Sequence, residues 1–285
     1  MTLLLWAVLV ACLVAAAGVA LSALGAHRWA VAMGALASKL EAAPGTPRAP
    51  FGFDELAGLP APAQRYFRAV LKPGQTIVAA ATIELAGTIN MSATGEQWKP
   101  FTSRQRAVMR RPGFLWDARV SMLPAVPVRV VDAYIAGEGL LRAAVLGLFT
   151  VADVRGGGEI ARGEFMRYVA EAAWYPTALL PSQGVRWAPV DDRSAKATFV
   201  DGPLSLTLLF RFDEAGLITS VLAEARAARV GKGEVMLPWE GCWSNYQWRG
   251  GMLVPLTGEV AWLRPEGRKR YFVGTVQALT HEYAP

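Results

Sequence analysis

Cysteine and histidine are almost absent from this chain, with two of each among 285 residues. Cys12 falls in an apolar run, which leaves Cys242 as the one thiol of the remaining body. No disulfide can therefore form within that body, and a zinc site built from cysteines, which needs two or more thiolates at close spacing, is excluded. His27 and His281 are too few for a multi-histidine metal centre or a nucleophile–histidine triad. His281, beside Glu282, reads as a solvated strand end. Gly156-Gly157-Gly158 lacks the following Lys-Ser/Thr and the strand-to-helix setting of a phosphate loop, so it reads as an ordinary loop. Accordingly, no catalytic residue, metal or cofactor is assigned from the sequence.

Charge is missing altogether between Leu3 and Ala26. At about 1.5 Å per residue, two dozen helical residues reach roughly 36 Å, enough to cross a hydrocarbon core of about 30 Å. The stretch reads as a single-pass membrane anchor. A cleavable signal peptide fits less well, because only Met1 and Thr2 precede the apolar core. Leu9-Val10-Ala11-Cys12 has the look of a lipobox, but the apolar run continues far past Cys12. Arg28 and Lys39 give a weak charge bias toward a cytoplasmic body, and the membrane side stays open.

Three regions follow from these signals: an anchor over 1–28, a juxtamembrane helical and proline-rich linker over 29–72, and a β domain over 73–285. In the linker, a soft helical zone from Trp29 to Leu40 precedes Pro44, Pro47, Pro50, Pro60 and Pro62. A short amphipathic helix is expected over Ala63–Leu71, with Tyr66, Phe67 and Val70 on its apolar side and Arg65 and Arg68 opposite.

Beyond Gln75 the hydrophobic period changes from helical to two. Ser103–Met109 sets Arg104 and Arg106 against Ser103, Gln105 and Ala107. The segments Phe114–Met122, Val126–Ala136, Leu204–Phe212, Leu217–Ala227, Met252–Trp262 and Arg270–Thr280 read as strands of rather uniform length, separated by Gly and Pro turns. One helix interrupts them, over 163–180, with Glu164, Arg167, Glu171 and Tyr175 as a polar stripe and Phe165, Val169 and Trp174 among its apolar residues. The expected fold is mainly β: an N-terminal transmembrane helix, then a curved antiparallel sheet, a half-barrel, packed against one α-helix.

The densest local signal is Pro238–Trp248, which carries Trp239, Trp243, Tyr246 and Trp248. Trp and Tyr join an apolar face to a polar tip, which suits a sheet core and the wall of an amphiphile site alike. Glu171 sits among Ala170, Ala172, Ala173 and Trp174. It reads either as a surface partner of Arg167 at i,i+4 spacing or as a buried carboxyl met by Arg226. Candidate ligand-binding residues are thus Glu171, Trp174, Arg226, Trp239, Trp243, Tyr246 and Trp262. The net charge of +6 comes partly from Arg104, Arg106, Arg110, Arg111 and from Arg264, Arg268, Lys269, Arg270. These read as a solvated strand face, or as a patch for anionic headgroups. No base-stacking motif accompanies them, so nucleic acid is not an expected partner.

Several segments together carry a family likeness: Glu171-Ala172-Ala173-Trp174-Tyr175-Pro176-Thr177-Ala178-Leu179-Leu180, Val185-Arg186-Trp187, Phe210-Arg211-Phe212-Asp213-Glu214-Ala215-Gly216, Pro238-Trp239, Tyr246, Gly251-Met252-Leu253-Val254-Pro255 and Gly258-Glu259-Val260-Ala261-Trp262. The combination, from about Tyr66 to the end, resembles a bacterial membrane-anchored family known as domain of unknown function 6544. The resemblance brings no reaction and no catalytic residue. By analogy of fold alone, the architecture is also similar to lipoprotein carriers, in which a curved antiparallel sheet encloses an apolar cavity around a helix.

Three functions compete. The first is a non-enzymatic, membrane-tethered domain that binds an apolar or amphiphilic ligand such as a membrane lipid. The second is an enzyme on a membrane-derived substrate using Glu171, with Arg226 orienting an anionic group. The third is an assembly partner of another membrane protein. All three place the chain in the membrane, so the full-length protein is expected to stay in the pellet on carbonate extraction; release into the supernatant would remove the anchor.

Overall fold

The computed structural model describes residues 2–42, 49–92, 95–109, 111–123, 126–230 and 233–283. Pro44, Pro47 and Arg110 lie outside the described residues. The first element is one unbroken helix, α1 (Thr2–Glu41), rich in Ala and Leu and free of proline. It is long and apolar enough to cross a membrane, with a window of mean hydropathy 2.7 in which no residue is buried. Residue 28, the expected end of the anchor, falls inside this helix without a break. From Ser22 onward a second property appears, because Gly25, Trp29, Met33, Leu36 and Leu40 recur at helical spacing and turn inward.

The helix α2 (Ala61–Val70) buries Tyr66, Phe67 and Val70 on the side the sequence predicts. Two antiparallel meanders form the rest. The first is β1 (Val78–Asn90), β2 (Trp98–Val108), β3 (Gly113–Leu123), β4 (Val126–Ile135), β5 (Glu138–Val145) and β6 (Phe149–Gly156). After α3 (Gly158–Ala170) come β7 (Arg186–Asp191), β8 (Ser194–Asp201), β9 (Leu204–Phe212), β10 (Ile218–Val230), β11 (Gly233–Arg249), β12 (Met252–Arg264) and β13 (Gly267–Tyr283). The last strand returns to pair with the first, which fuses both meanders into one open 13-stranded sheet in the order β6-β5-β4-β3-β2-β1-β13-β12-β11-β10-β9-β8-β7.

The sheet curls around α3, which touches β3, β4, β5 and β6 of one meander and β9 and β10 of the other. Tyr134 on β4 donates to Asp201 at the end of β8, 2.7 Å away, joining strands that lie near opposite ends of the strand order. The concave face holds the main core, and a smaller core lies outside, where Trp29 and Leu40 of α1 pack on Val108, Leu115 and Val131. Trp29 Nε1 donates to Asp117 there at 2.8 Å. Gly25 lets α1 approach the β5–β6 turn, since a Cβ at that position would lie 2.0 Å from the Leu146 carbonyl oxygen.

Several expectations change in detail. The mid-chain helix starts at Gly158 and ends at Ala170, not over 163–180, and short 3₁₀ turns follow at Glu171–Trp174, Pro176–Leu179 and Pro181–Gln183. Pro176 and Pro181 supply no amide hydrogen and each opens one of those turns. Gly156-Gly157-Gly158 does occupy a strand-to-helix junction, between β6 and α3. Strand lengths are not uniform, since β11 and β13 have 17 residues each against 6 in β7.

The docked half of α1 should contribute to stability. Trp29→Ala removes a buried indole and its bond to Asp117 and is expected to cost about 3 kcal/mol. Val31→Ala, on the exposed side, should change stability by less than about 0.5 kcal/mol. Urea unfolding of both variants in mild detergent measures the difference.

Candidate functional site

Strand alternation aims Ser103 and Gln105 of β2, Phe114 and Trp116 of β3, and Asp132 and Tyr134 of β4 at the concave face, where they meet α3. On α3, Glu164 and Arg167 lie one turn apart, and Glu171 follows one turn later just past the helix end. Arg167 is the centre of the arrangement. Its Nη1 donates to Asp132 at 2.7 Å, its Nε to Glu171 at 2.7 Å and its Nη2 to the Gln105 carbonyl oxygen at 3.2 Å. Gln105 closes the ring by donating from Nε2 to Glu171 at 2.6 Å. The flat guanidinium lies 4.9 Å from the Phe114 ring and 4.8 Å from the Trp116 ring, so its faces meet π-electrons while its edge meets carboxylates.

A second arginine stands beside it. Arg226 of β10 reaches Glu164 at 3.7 Å and lies over Trp239 at 4.5 Å and near Trp262 at 5.9 Å. The helix can pass this close because residue 163 is glycine, where a Cβ would sit 3.2 Å from Arg226 Nε. Trp239 Nε1 donates to the Tyr271 hydroxyl at 2.9 Å, and Tyr271 stacks on Trp262. Three buried polar atoms of the cluster have no hydrogen-bond partner among the described residues: Asp132 Oδ1, Glu164 Oε2 and Arg226 Nη1.

Burial raises the pKa of the Glu164 and Asp132 carboxyls here. The Glu164 carboxyl is pushed up to about 8, first by lost hydration and then by the neighbouring Asp132 charge, against the pull of Arg226 and Arg167. Asp132 shifts upward for the same first reason, with Arg167 opposing.

The concave side differs at its two ends. Where Leu40 of α1 meets Gly113, it is filled: Tyr66 packs on Phe212, Phe67 on Trp187, and Thr177 Oγ1 accepts the Val78 amide at 3.0 Å. At the opposite end, beside the apolar half of α1, the inward residues Ile89, Met122, Val130, Val260 and Phe272 are only partly buried. Ile89, Phe272 and Val260 are cross-strand neighbours on β1, β13 and β12. These residues, and Trp262 with them, pack against the main core and stay partly open to solvent.

The seven residues singled out from sequence divide between these zones. Glu171, Arg226, Trp239 and Trp262 lie along the charged cluster. Trp174 and Trp243 meet edge to face in packed core, with ring centroids 4.8 Å apart, and Trp174 Nε1 donates to the Pro255 carbonyl at 3.0 Å. Tyr246 donates to the Ile218 carbonyl at 2.8 Å at the filled end. Arg226 pairs with Glu164 rather than Glu171, and the Arg167–Glu171 pair is buried rather than on the surface. His281 is no solvated strand end: its Nε2 lies 2.8 Å from the Trp174 carbonyl oxygen, and burial lowers its pKa. Several basic residues read as a free face are paired, Arg106 with Glu41 and Glu282, Arg268 with Glu240 and Glu259, and Lys269 with Glu96. Sequence reasoning gave Asp132 and Gln105 no role in the site, saw Glu164 only as part of a polar stripe, and named Arg167 only as a partner of Glu171. Among the described residues, no group of three His, Cys, Asp or Glu side chains could hold a metal ion.

The model of DUF6920, a family of unknown function, matches residues 57–281; the number 6544 is not the one found. No curated protein matches the chain. Among solved structures, a LolA superfamily protein from Nitrosomonas europaea superposes with a TM-score of 0.41 at 10% identity, covering 79% of this chain and 93% of that one. A beta-barrel-like protein of domain of unknown function DUF1849 from Brucella abortus gives 0.23 at 10% identity, over 73% and 99% of the two chains. At these scores neither superposition bears on function.

The raised Glu164 pKa has a stability consequence. Between the ordinary value of 4.5 and about 8 the folded chain holds a proton that the unfolded chain has lost, so this residue makes stability fall as pH rises through that window. Glu164→Gln cannot titrate and is expected to flatten the slope. Thermal melting of both proteins from pH 5 to pH 8.5 tests this; parallel profiles would contradict it.

Proposed function

We infer the role of this chain, which belongs to DUF6920, a family of unknown function, from its own geometry: a membrane-tethered domain that binds an apolar or amphiphilic ligand such as a lipid. One observation carries the reading. The partly buried apolar residues Ile89, Met122, Val130, Val260, Trp262 and Phe272 lie at the end of the sheet nearest the apolar half of α1, and we read them as the lining of a trough that a ligand can fill. With α1 in a bilayer, that trough stands near the membrane surface, where an acyl chain would exchange water for apolar side chains at about 0.8 kcal/mol per buried CH₂. Arg226 Nη1 and Glu164 Oε2, both buried and unpartnered, give a polar head something to bond on the floor of the trough. Trp239 and Trp262 hold Arg226 in place by their ring faces.

The rest of the concave side supports a rigid receptor. Arg167 locks α3 to β2 and β4, so the trough keeps its shape without a ligand, and binding then carries a smaller ordering cost.

The test is native mass spectrometry of full-length protein from mild detergent, with lipid analysis of what co-purifies, on wild type and on the Met122→Glu, Val260→Glu double variant. Both positions are partly exposed, so the variant should fold. Wild type is expected to retain an amphiphile and the variant to lose at least about tenfold of it, because each added carboxylate would be desolvated against an acyl chain. A wild type without bound amphiphile favours the assembly-partner reading instead.

A further inference from the structure

We propose that Arg119 and Arg129, on the convex face beside α1, form a binding site for the phosphate of an anionic phospholipid and thereby fix the domain on the bilayer surface. The proposal rests on the membrane placement of α1 in the function inferred above, but on none of the trough residues.

The two arginines are directly opposite each other on β3 and β4, an arrangement that repels unless an anion sits between them. Neither guanidinium makes an ion pair or hydrogen bond among the described residues. Asp117, the acid that feels both charges, already accepts the Trp29 indole at 2.8 Å. With Ser22, Ser121, Pro127 and Leu146 the pair lines a cleft of about 310 Å³ between α1 and the sheet. Two guanidiniums with free forks suit a phosphate diester, whose oxygens can accept from both.

Position selects a lipid as the source of that phosphate. The residues Leu3–Leu21, all exposed, would span roughly 28 Å at about 1.5 Å per residue, close to a hydrocarbon core. Ser22 is the first residue of α1 that packs near the domain, so the cleft stands at the depth of headgroups. Beside it, Leu123 and Phe149 point from hairpin ends into solvent, 65% and 60% exposed, as residues entering the acyl boundary would. Helix, cleft and apolar tips then face one plane, with the partly buried residues Met122 and Val130 at the same end of the sheet.

The test is native mass spectrometry of the full chain from mixed micelles holding equal phosphatidylcholine and phosphatidylglycerol, in the Met122→Glu, Val260→Glu background so that trough-bound lipid does not contribute. The chain is expected to retain phosphatidylglycerol in preference. Arg119→Gln with Arg129→Gln should lower that preference roughly thirtyfold, about a factor of five for each arginine near an anionic surface. The double variant relieves a like-charge pair and is expected to melt no lower than its parent. Equal retention of both lipids, or a preference that survives the double variant, overturns the proposal. Displacement of phosphatidylglycerol by an equal concentration of inorganic phosphate assigns the cleft to free phosphate and overturns the lipid assignment. A chain whose trough binds no amphiphile, but whose lipid preference depends on both arginines, overturns the functional reading and upholds this one.

Discussion

The guanidinium of Arg167 is the contact on which the architecture depends. A curved sheet with a helix on its concave side needs something to hold the two at one fixed depth, because apolar packing alone tolerates sliding. Arg167 meets Asp132 on β4, Gln105 on β2 and Glu171 just beyond its own helix, with aromatic rings on its faces. Its directional bonds therefore set the position and rotation of α3 against two strands at once. Such a cluster is costly to bury and still more costly to break, since losing one member strands the others without a counter-charge, typically about 3–5 kcal/mol.

The chain order makes that lock effective. Two meanders that would each end in an exposed edge are joined in the middle by β1 and β13, the first and last strands. Their outer portions then wrap the same helix, α3 being held by Arg167 on one side and lying against Arg226 on the other. One end of the enclosed space is plugged by α2 and the 3₁₀ turns. The other keeps partly buried apolar residues. Helix α1, packed on the convex face, relates that end to its own apolar half.

How much of this was legible varies with the range of the interaction concerned. The apolar run of α1, the alternation in β2 and β3, and the buried face of α2 are local patterns, each repeated several times within one element. The bounds of α3 were misplaced because the apolar period runs on through Trp174 into turns that are 3₁₀ rather than α. The expected partnership of Arg226 with Glu171 failed for a different reason. Glu164 and Glu171 are both carboxylates on the same helical segment, and choosing between them requires the height at which β10 crosses α3. Arg119 and Arg129 drew no notice among the basic residues, although they face each other without an acid paired to either, whereas Arg106 and Arg268 are neutralised by residues far away in sequence.

The sequence by itself determined the apolar helix α1, the buried face of α2 and the alternation of strands such as β2, β3 and β9, because helical and strand periodicities are imposed by backbone geometry within a few residues, whereas β5 to β8 gave no such signal. It also determined that thiol and multi-histidine metal chemistry are not available to this body, since composition alone decides that. Only the tertiary structure decided which charges are buried together, which aromatics are fully packed and which stay partly exposed, and which arginines keep free donors. Those outcomes depend on curl and strand order, where Asp132 meets Arg167 across 35 residues and β1 meets β13 across almost the whole domain. No local pattern encodes them, for the electrostatic cost of a side chain is set by what surrounds it in space.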